Sequence, residues 1–340
     1  MPSSSFKLAY IPSLDGLRGV AISLVVLHHI TLNSFPGAIG VDIFFVLSGF
    51  LITSILVGES LETKKIKFTA FYRNRFLRLY PSLILMVVLA SICALLIGKF
   101  DDQFLIDSGI TLTYLTPWVL ILSNWAGGFY RHTWSLGIEE TFYIAWPILF
   151  VSFHFIKKLY LLLFTLGAVV LLSPSLFANF NSQLDPEIST YGIRIGGIIL
   201  GCALALSPQL GSRVINLLSG PLGILGLLCA LLVTNNNDAE FLAATSTLFI
   251  LSSITKKTPD RISIILRKIL EQKQLVWIGK ISYEIYLVHY VLVISVVWEL
   301  YGRGYGQLVV RWALVFVGIV SIPLSYLIHS IYKKIRVLAN

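Results

Sequence analysis

The stretch Leu14-Asp15-Gly16-Leu17-Arg18-Gly19, followed by an apolar run that ends at His28-His29, puts charge where a membrane span begins and imidazole in its far half. On a helix eleven residues advance about 1100°, so His29 returns to within about 20° of the face carrying Arg18, about 16 Å along the axis. His28 falls about 80° away. Ionisable groups inside a span are costly, and their presence points to function. A structural origin also fits the stretch alone: Arg18 as an anchor, with the histidines bonded to a neighbouring helix.

The rest of the chain has the composition such a span requires. Its 340 residues are 56% hydrophobic and 13% charged, with a mean hydropathy of +0.83. A soluble domain is about one-quarter charged, so this is an all-α polytopic membrane protein, read as one membrane-embedded domain over residues 1–340. Stretches able to span lie near 17–33, 39–57, 80–98, 137–156, 159–177, 191–207, 217–233, 239–255, 275–298 and 308–330. The segment 104–123, with Asp107, three threonines and Pro117, is predicted to be re-entrant or to lie at the outer surface.

Charge sets the orientation. With about ten spans and both termini cytoplasmic, most of the 26 Lys and Arg face inward, including Lys7, Arg18, the cluster Lys64 to Arg78, Lys157-Lys158, Arg213, the cluster Lys256 to Lys280, and Lys333-Lys334-Arg336. The outward loops then hold Asp101, Asp102, Asp185, Glu187, Asp238 and Glu240. The net charge of +9 is thus mostly topology, and nucleic acid drops out as a partner. Loop 58–79 and loop 256–274 are more basic than orientation requires; Ile262 to Leu270 in the second reads as an amphipathic helix at the lipid interface. Cys93, Cys202 and Cys229 stand singly in apolar runs as small hydrophobes, and no metal-ligand spacing occurs. The N-terminus has no cleavable leader pattern, so the first span is expected to stay.

Four further groups could carry chemistry. Asp42, Val46, Gly49 and Thr53 share one face of the second span, and a short hairpin puts Asp42 near the depth of His29, where a carboxylate would orient an imidazole base. Arg73, Arg75 and Arg78 crowd the inner end of the third span; Arg75 and Arg78 form an i, i+3 pair suited to phosphate, although topology also asks for basic residues there. His132-Thr133-Trp134-Ser135-Leu136-Gly137-Ile138-Glu139-Glu140 leads into the fourth predicted span at its outward boundary. Glu139, Tyr143 and Trp146 there share a face able to grip a sugar, or to serve as an aromatic belt. Ser282, Tyr286 and His289 form a polar stripe late in the chain.

In order and wording these motifs resemble the bacterial acyltransferase-3 family of integral-membrane O-acyltransferases. The resemblance rests on Leu14 to Gly19 with His29, Gly40 to Ile52, Arg75-Phe76-Leu77-Arg78-Leu79-Tyr80-Pro81, Trp134 to Glu139, and Ile281-Ser282-Tyr283 through His289. It implies transfer of an acyl group, usually acetyl, from cytosolic acyl-CoA to a hydroxyl of a cell-envelope glycan (O-antigen, exopolysaccharide or capsule) or its lipid-linked precursor. Acyl-CoA would be a co-substrate, with no bound cofactor, and the protein would sit in the bacterial cytoplasmic membrane. The family's arginine–ten residues–histidine pattern lands on Arg18 and His29, its Arg-x-x-Arg pattern on Arg75 and Arg78, and its Trp-Ser-Leu-x-x-Glu pattern on Trp134, Ser135, Leu136 and Glu139. Joined to the groups above, this puts catalysis on His29 with Asp42 or Glu139, acyl-CoA on Arg75 and Arg78 with Arg73 and Arg18, and the acceptor near Trp134, Ser135, Glu140 and Tyr143, with Ser282, Tyr286 and His289 as further candidates. His29 would take a proton from the acceptor or carry the acyl group; the residues leave both open.

Thr141, Glu284 and Val291 depart from the family's usual Gln, small residue and Pro; Glu284 is expected to pair with Lys280 at i, i+4. The SGNH-type domain that some members carry is not expected here. Intramembrane Arg, His, Asp and Glu also suit a transporter or flippase, which would be expected to show internal repeats; none is visible in the sequence.

Overall fold

The computed structural model describes residues 10–123, 127–153, 155–156, 158–176, 186–207, 213–233, 236–255 and 260–339. Among these residues the chain is helical, with no strand. The helices are α1 (Pro12–Ile30), α2 (Ile39–Thr63), α3 (Phe68–Leu96), α4 (Asp102–Leu112), α5 (Thr116–Leu122), a 3-10 turn (Gly128–Thr133), α6 (Trp134–Phe153), α7 (Leu159–Leu176), α8 (Pro186–Leu206), α9 (Arg213–Leu232), α10 (Asn236–Thr255), α11 (Arg261–Leu270), α12 (Lys273–Lys280), α13 (Ser282–Gly302) and α14 (Gln307–Ala339).

Every predicted apolar stretch falls on this set, with 275–298 divided between α12 and α13. Among the described residues six helical segments are long and apolar enough to cross a membrane: α1, α2, α3, the 3-10 turn continued into α6, α13 and α14. Shorter apolar segments occupy α7, α8 and α9. The ambiguous segment forms α4 and α5, bent by 120° at Tyr114, whose φ is +58°. Three expectations change. Residues 58–79 are not a loop: α2 continues to Thr63 and α3 begins at Phe68, so all three arginines ride on a helix. Glu240 is not in a loop but buried on α10. The helix of the fourth predicted span begins at Trp134, directly after the 3-10 turn Gly128–Thr133, so Trp134 to Leu136 are helical rather than part of a loop leading into it. Lys7, Lys157, Asp185, Lys256 and Lys257 lie outside the described residues.

The backbone divides into two compact units. The first comprises residues 1–21, 38–67 and 141–279. Its centre is α2 against α8. Gly49 faces the carbonyl of Ile198, and Gly201 faces the carbonyl of Val46, each so close that a Cβ would fall on the opposing backbone. Small residues permit this approach where apolar side chains gain nothing over lipid. The same device explains the opening motif: a Cβ on Gly16 would meet the carbonyl of Leu270, one on Gly19 that of Leu275, and one on Gly279 that of Asp15. Asp15-Gly16-Leu17-Arg18-Gly19 is therefore a packing surface for α11 and α12. α11 is amphipathic as predicted: Asp260 caps its start by accepting from the Ser263 amide at 2.8 Å, and Ser263, Leu266 and Leu270 are buried, leaving Ile262, Ile265 and Ile269 exposed.

Within this unit Arg194 of α8 donates through Nε and Nη2 to Glu240 Oε1, at 2.9 and 2.6 Å, and its Nε lies 3.9 Å from Asp42 Oδ1. Both carboxylates are 2% exposed. Charges at this depth are tolerable only together, so the triad ties α2, α8 and α10 into one body.

The second unit comprises residues 22–37, 68–140 and 280–340. Here α3 and α13 run parallel in constant register: Tyr283 donates to the Leu79 carbonyl at 3.1 Å, Ser82 to Glu284 Oε1 at 3.3 Å, and Cys93 pairs with Ser295. α14 packs on both, with His329 Nδ1 3.0 Å from Glu284 Oε1. Glu284 thus has two long-range partners that its i, i+4 spacing to Lys280 did not reveal. The α4–α5 hairpin dips into the unit, its tip Tyr114 hydrogen-bonding Tyr283, while Gly137 of α6 lies against Pro117 and the Tyr114 carbonyl.

Gly16→Ala is expected to lower stability by about 1–3 kcal/mol through backbone collision, read as an earlier thermal unfolding transition in detergent. Arg194→Leu should cost about 3–5 kcal/mol by stranding two buried carboxylates, and Arg194→Leu with Glu240→Leu should recover part of it in the same assay.

Candidate active site

Four of the six histidines converge in the second unit. His29, in the last turn of α1, has Nδ1 3.2 Å from His289 Nε2 and 3.0 Å from the Val25 carbonyl. His289 Nδ1 lies 2.9 Å from the Ile285 carbonyl. A carbonyl only accepts, so His289 carries its proton on Nδ1, and in the neutral ring Nε2 is an acceptor. His29 in turn donates from Nδ1 to His289 Nε2 and the Val25 carbonyl. Its Nε2 lone pair is left for chemistry, on a ring whose orientation is fixed by the partner. His28 does not share this arrangement: its Nδ1 donates to the Phe35 carbonyl at 2.7 Å, closing the turn after α1.

His132, at the end of the 3-10 turn, completes the cluster. Its ring stacks on Tyr290 with centroids 4.7 Å apart and stands edge-on to His289 at 5.9 Å. It is 3% exposed, and its ring reaches only the Leu287 backbone, outside good hydrogen-bond geometry. A buried imidazole so weakly satisfied is costly unless a ligand or reacting group completes its hydrogen bonding. Tyr286 holds this corner in place: its hydroxyl donates to the His132 carbonyl at 2.6 Å and shares a 2.7 Å hydrogen bond with Ser135. The stripe Ser282–Tyr286–His289 exists as predicted, on one face of α13; Ser282 Oγ is buried and unpartnered.

The arginines lie on the same frame, nearer the start of α3. By the α3–α13 register, His289 stands about nine residues, roughly 13 Å, beyond Arg78. Arg75 and Arg78 are separated by about 60° around the helix, whereas Arg73 points about 140–160° away from them, so it does not join their face. Arg78 is exposed and Arg75 half-buried, and the charge of Arg75 acts on Glu140 of α6. Glu140 therefore lies toward the arginine end of the unit, and Ser135 beside Tyr286.

Other expectations are redirected. The partner that orients His29 is His289, while Asp42 is engaged by Arg194 in the first unit. Tyr143 and Trp146 are not open to a sugar: the Tyr143 hydroxyl meets Ser48 Oγ at 3.0 Å, and Trp146 Nε1 donates to Thr53 Oγ1 at 2.8 Å, joining α6 to α2. Glu139 and Trp134 are half-buried in the opening turns of α6, and Arg18 is half-buried on α1. Among the described residues no three His, Cys, Asp or Glu side chains converge as metal ligands. Sequence reading missed His132. Its signal was rarity, since an imidazole two residues before Trp134-Ser135-Leu136 is conspicuous in so apolar a chain.

Comparison with known proteins bears on the whole length. The peptidoglycan O-acetyltransferase OatA of Listeria monocytogenes is 32% identical over 321 residues, covering 86% of this chain and 50% of that protein. A Staphylococcus aureus (strain COL) protein named "Putative O-acetyltransferase" is 31% identical over 358 residues, covering 96% of this chain and 58% of its own. The chain thus spans about half the length of these curated relatives. No solved structure matches it. The family model described as "Acyltransferase domain" matches residues 11–330, and the chain belongs to that acyltransferase-3 family.

Proposed function

We propose that the chain is a membrane O-acyltransferase that moves an acyl group, chiefly acetyl, from acyl-CoA to a hydroxyl of a cell-envelope glycan. The observation that carries this reading is the His29–His289 hydrogen bond, which leaves one imidazole nitrogen oriented and unblocked among buried groups. The names of the Listeria and Staphylococcus relatives support acetyl as the group transferred, and the Listeria name supports peptidoglycan as an acceptor.

The chemistry follows from the order of residues along α3 and α13. Arg75 and Arg78 hold the donor's phosphates from the cytoplasmic side, as guanidinium forks suit phosphate oxygens. The thioester reaches the histidines. His29 Nε2 takes the proton of the acceptor hydroxyl as its oxygen bonds to the thioester carbon, and His289 accepts from His29 Nδ1, keeping the ring in its basic tautomer. His132 donates to the developing oxyanion. Collapse breaks the carbon–sulfur bond, the thiolate takes the proton from His29, and the products are the ester and free CoA. Ten spans with both termini cytoplasmic, α7 to α10 included, complete the topology, in the bacterial cytoplasmic membrane.

Purified protein, labelled acetyl-CoA and peptidoglycan fragments test the reading. His29→Ala should abolish transfer at normal protein level, and His28→Ala should retain most of it. His289→Ala should lower kcat on the order of 100-fold with the donor KM held, because the ring loses its orienting partner. Arg75→Gln or Arg78→Gln should raise the donor KM about tenfold, as loss of a charge-assisted hydrogen bond does. Full activity in His29→Ala would overturn the assignment.

A further inference from the structure

Beyond the histidines the second unit holds a cleft of about 370 Å3 between α3, α13 and α14. Cys93 and Leu96 line it from α3, Leu292 and Val296 from α13, and Ala313 and Val317 from α14. Only its rim carries a charge, Glu299, which is paired with Arg303. Leu292 and Val296 follow His289 by three and seven residues, so the cleft opens on the His289 face of α13 and begins about 5 Å beyond the imidazole. Leu292, Val296 and Val317 also belong to the apolar cluster that Ile30 and Leu32 join, directly after His29.

The arginine pair, the histidines and the cleft therefore succeed one another along α3 and α13. A thioester threaded from the arginines presents its carbonyl at His29 with the acyl tail pointing onward, into this apolar space. The volume holds on the order of ten groups of about 30 Å3 each, far more than an acetyl methyl requires. An apolar cleft aligned with the reacting carbon lowers the cost of each added methylene by burying it.

We infer that this cleft is an acyl-tail site, and that the protein accepts medium-chain acyl-CoA donors alongside acetyl-CoA. The inference rests on the acyltransferase reading above. The transfer is unchanged: the same carbon–sulfur bond breaks, the same ester forms, and the hydroxyl proton leaves on the CoA thiol.

Release of free CoA thiol from acetyl-, butanoyl- and octanoyl-CoA, by the purified full chain with peptidoglycan fragments, tests it. Octanoyl-CoA should be consumed within tenfold of the acetyl-CoA rate. Ala313→Phe and Val296→Phe, filling the cleft from opposite helices, should each lower the octanoyl-to-acetyl ratio at least tenfold. That ratio is insensitive to partial loss of folded protein. Consumption of acetyl-CoA alone, or an octanoyl ratio that neither variant changes because a membrane lipid fills the cleft, would overturn the inference and leave the acyltransferase reading standing. No thiol release from any donor would overturn both.

Discussion

An imidazole enclosed by apolar helices needs a polar partner there, and His29 and His289 meet that need for each other. The contact fixes more than two side chains. It sets the end of α1 against the middle of α13, and the backbone carbonyls of Val25 and Ile285 decide which nitrogen of each ring carries the proton. Everything chemical in the second unit is referred to that line: Tyr286 positions the His132 backbone one turn earlier on α13, the arginines precede it along α3, and the apolar cleft follows it.

The first unit uses the same desolvation physics for architecture. Arg194 bridges Asp42 and Glu240 and offsets buried carboxylate charge that could not stand alone, and glycines at 16, 19, 49, 201 and 279 bring backbones together where larger side chains would collide. The Asp-Gly-Leu-Arg-Gly motif that begins α1 is thus half packing surface. A buried charge by itself does not mark chemistry. The triad and the histidine cluster differ in the groups they hold: the triad pairs fixed charges, whereas the cluster orients an imidazole that can take up and release a proton.

Helix placement was legible because apolar length is a local property, and the ten stretches fall on helices. Periodicity also puts His28 and His29 on different sides of α1, and their partners differ accordingly, the Phe35 carbonyl for one and His289 for the other. Long-range partners were not legible. Nothing local pairs Asp42 with Arg194, Glu284 with His329, or Tyr143 with Ser48; each depends on which helices become neighbours. That Trp134 to Leu136 are already helical was not legible, because hydropathy alone reads the polar residues after Gly128 as loop. The α4–α5 hairpin showed itself through its threonines and Pro117, but not the descent of Tyr114 to Tyr283.

The central claim is that the hydrogen bond to His289 sets the tautomer of His29. Nitrogen-15 spectra of histidine-labelled protein, assigned with His29→Asn and His289→Asn, read it directly. The account predicts a neutral His29 protonated at Nδ1, with Nε2 bare, and His289 protonated at Nδ1 with its Nε2 resonance moved by an accepted hydrogen bond. A His29 protonated at Nε2, or a His289 Nε2 resonance that does not respond to His29→Asn, would contradict it.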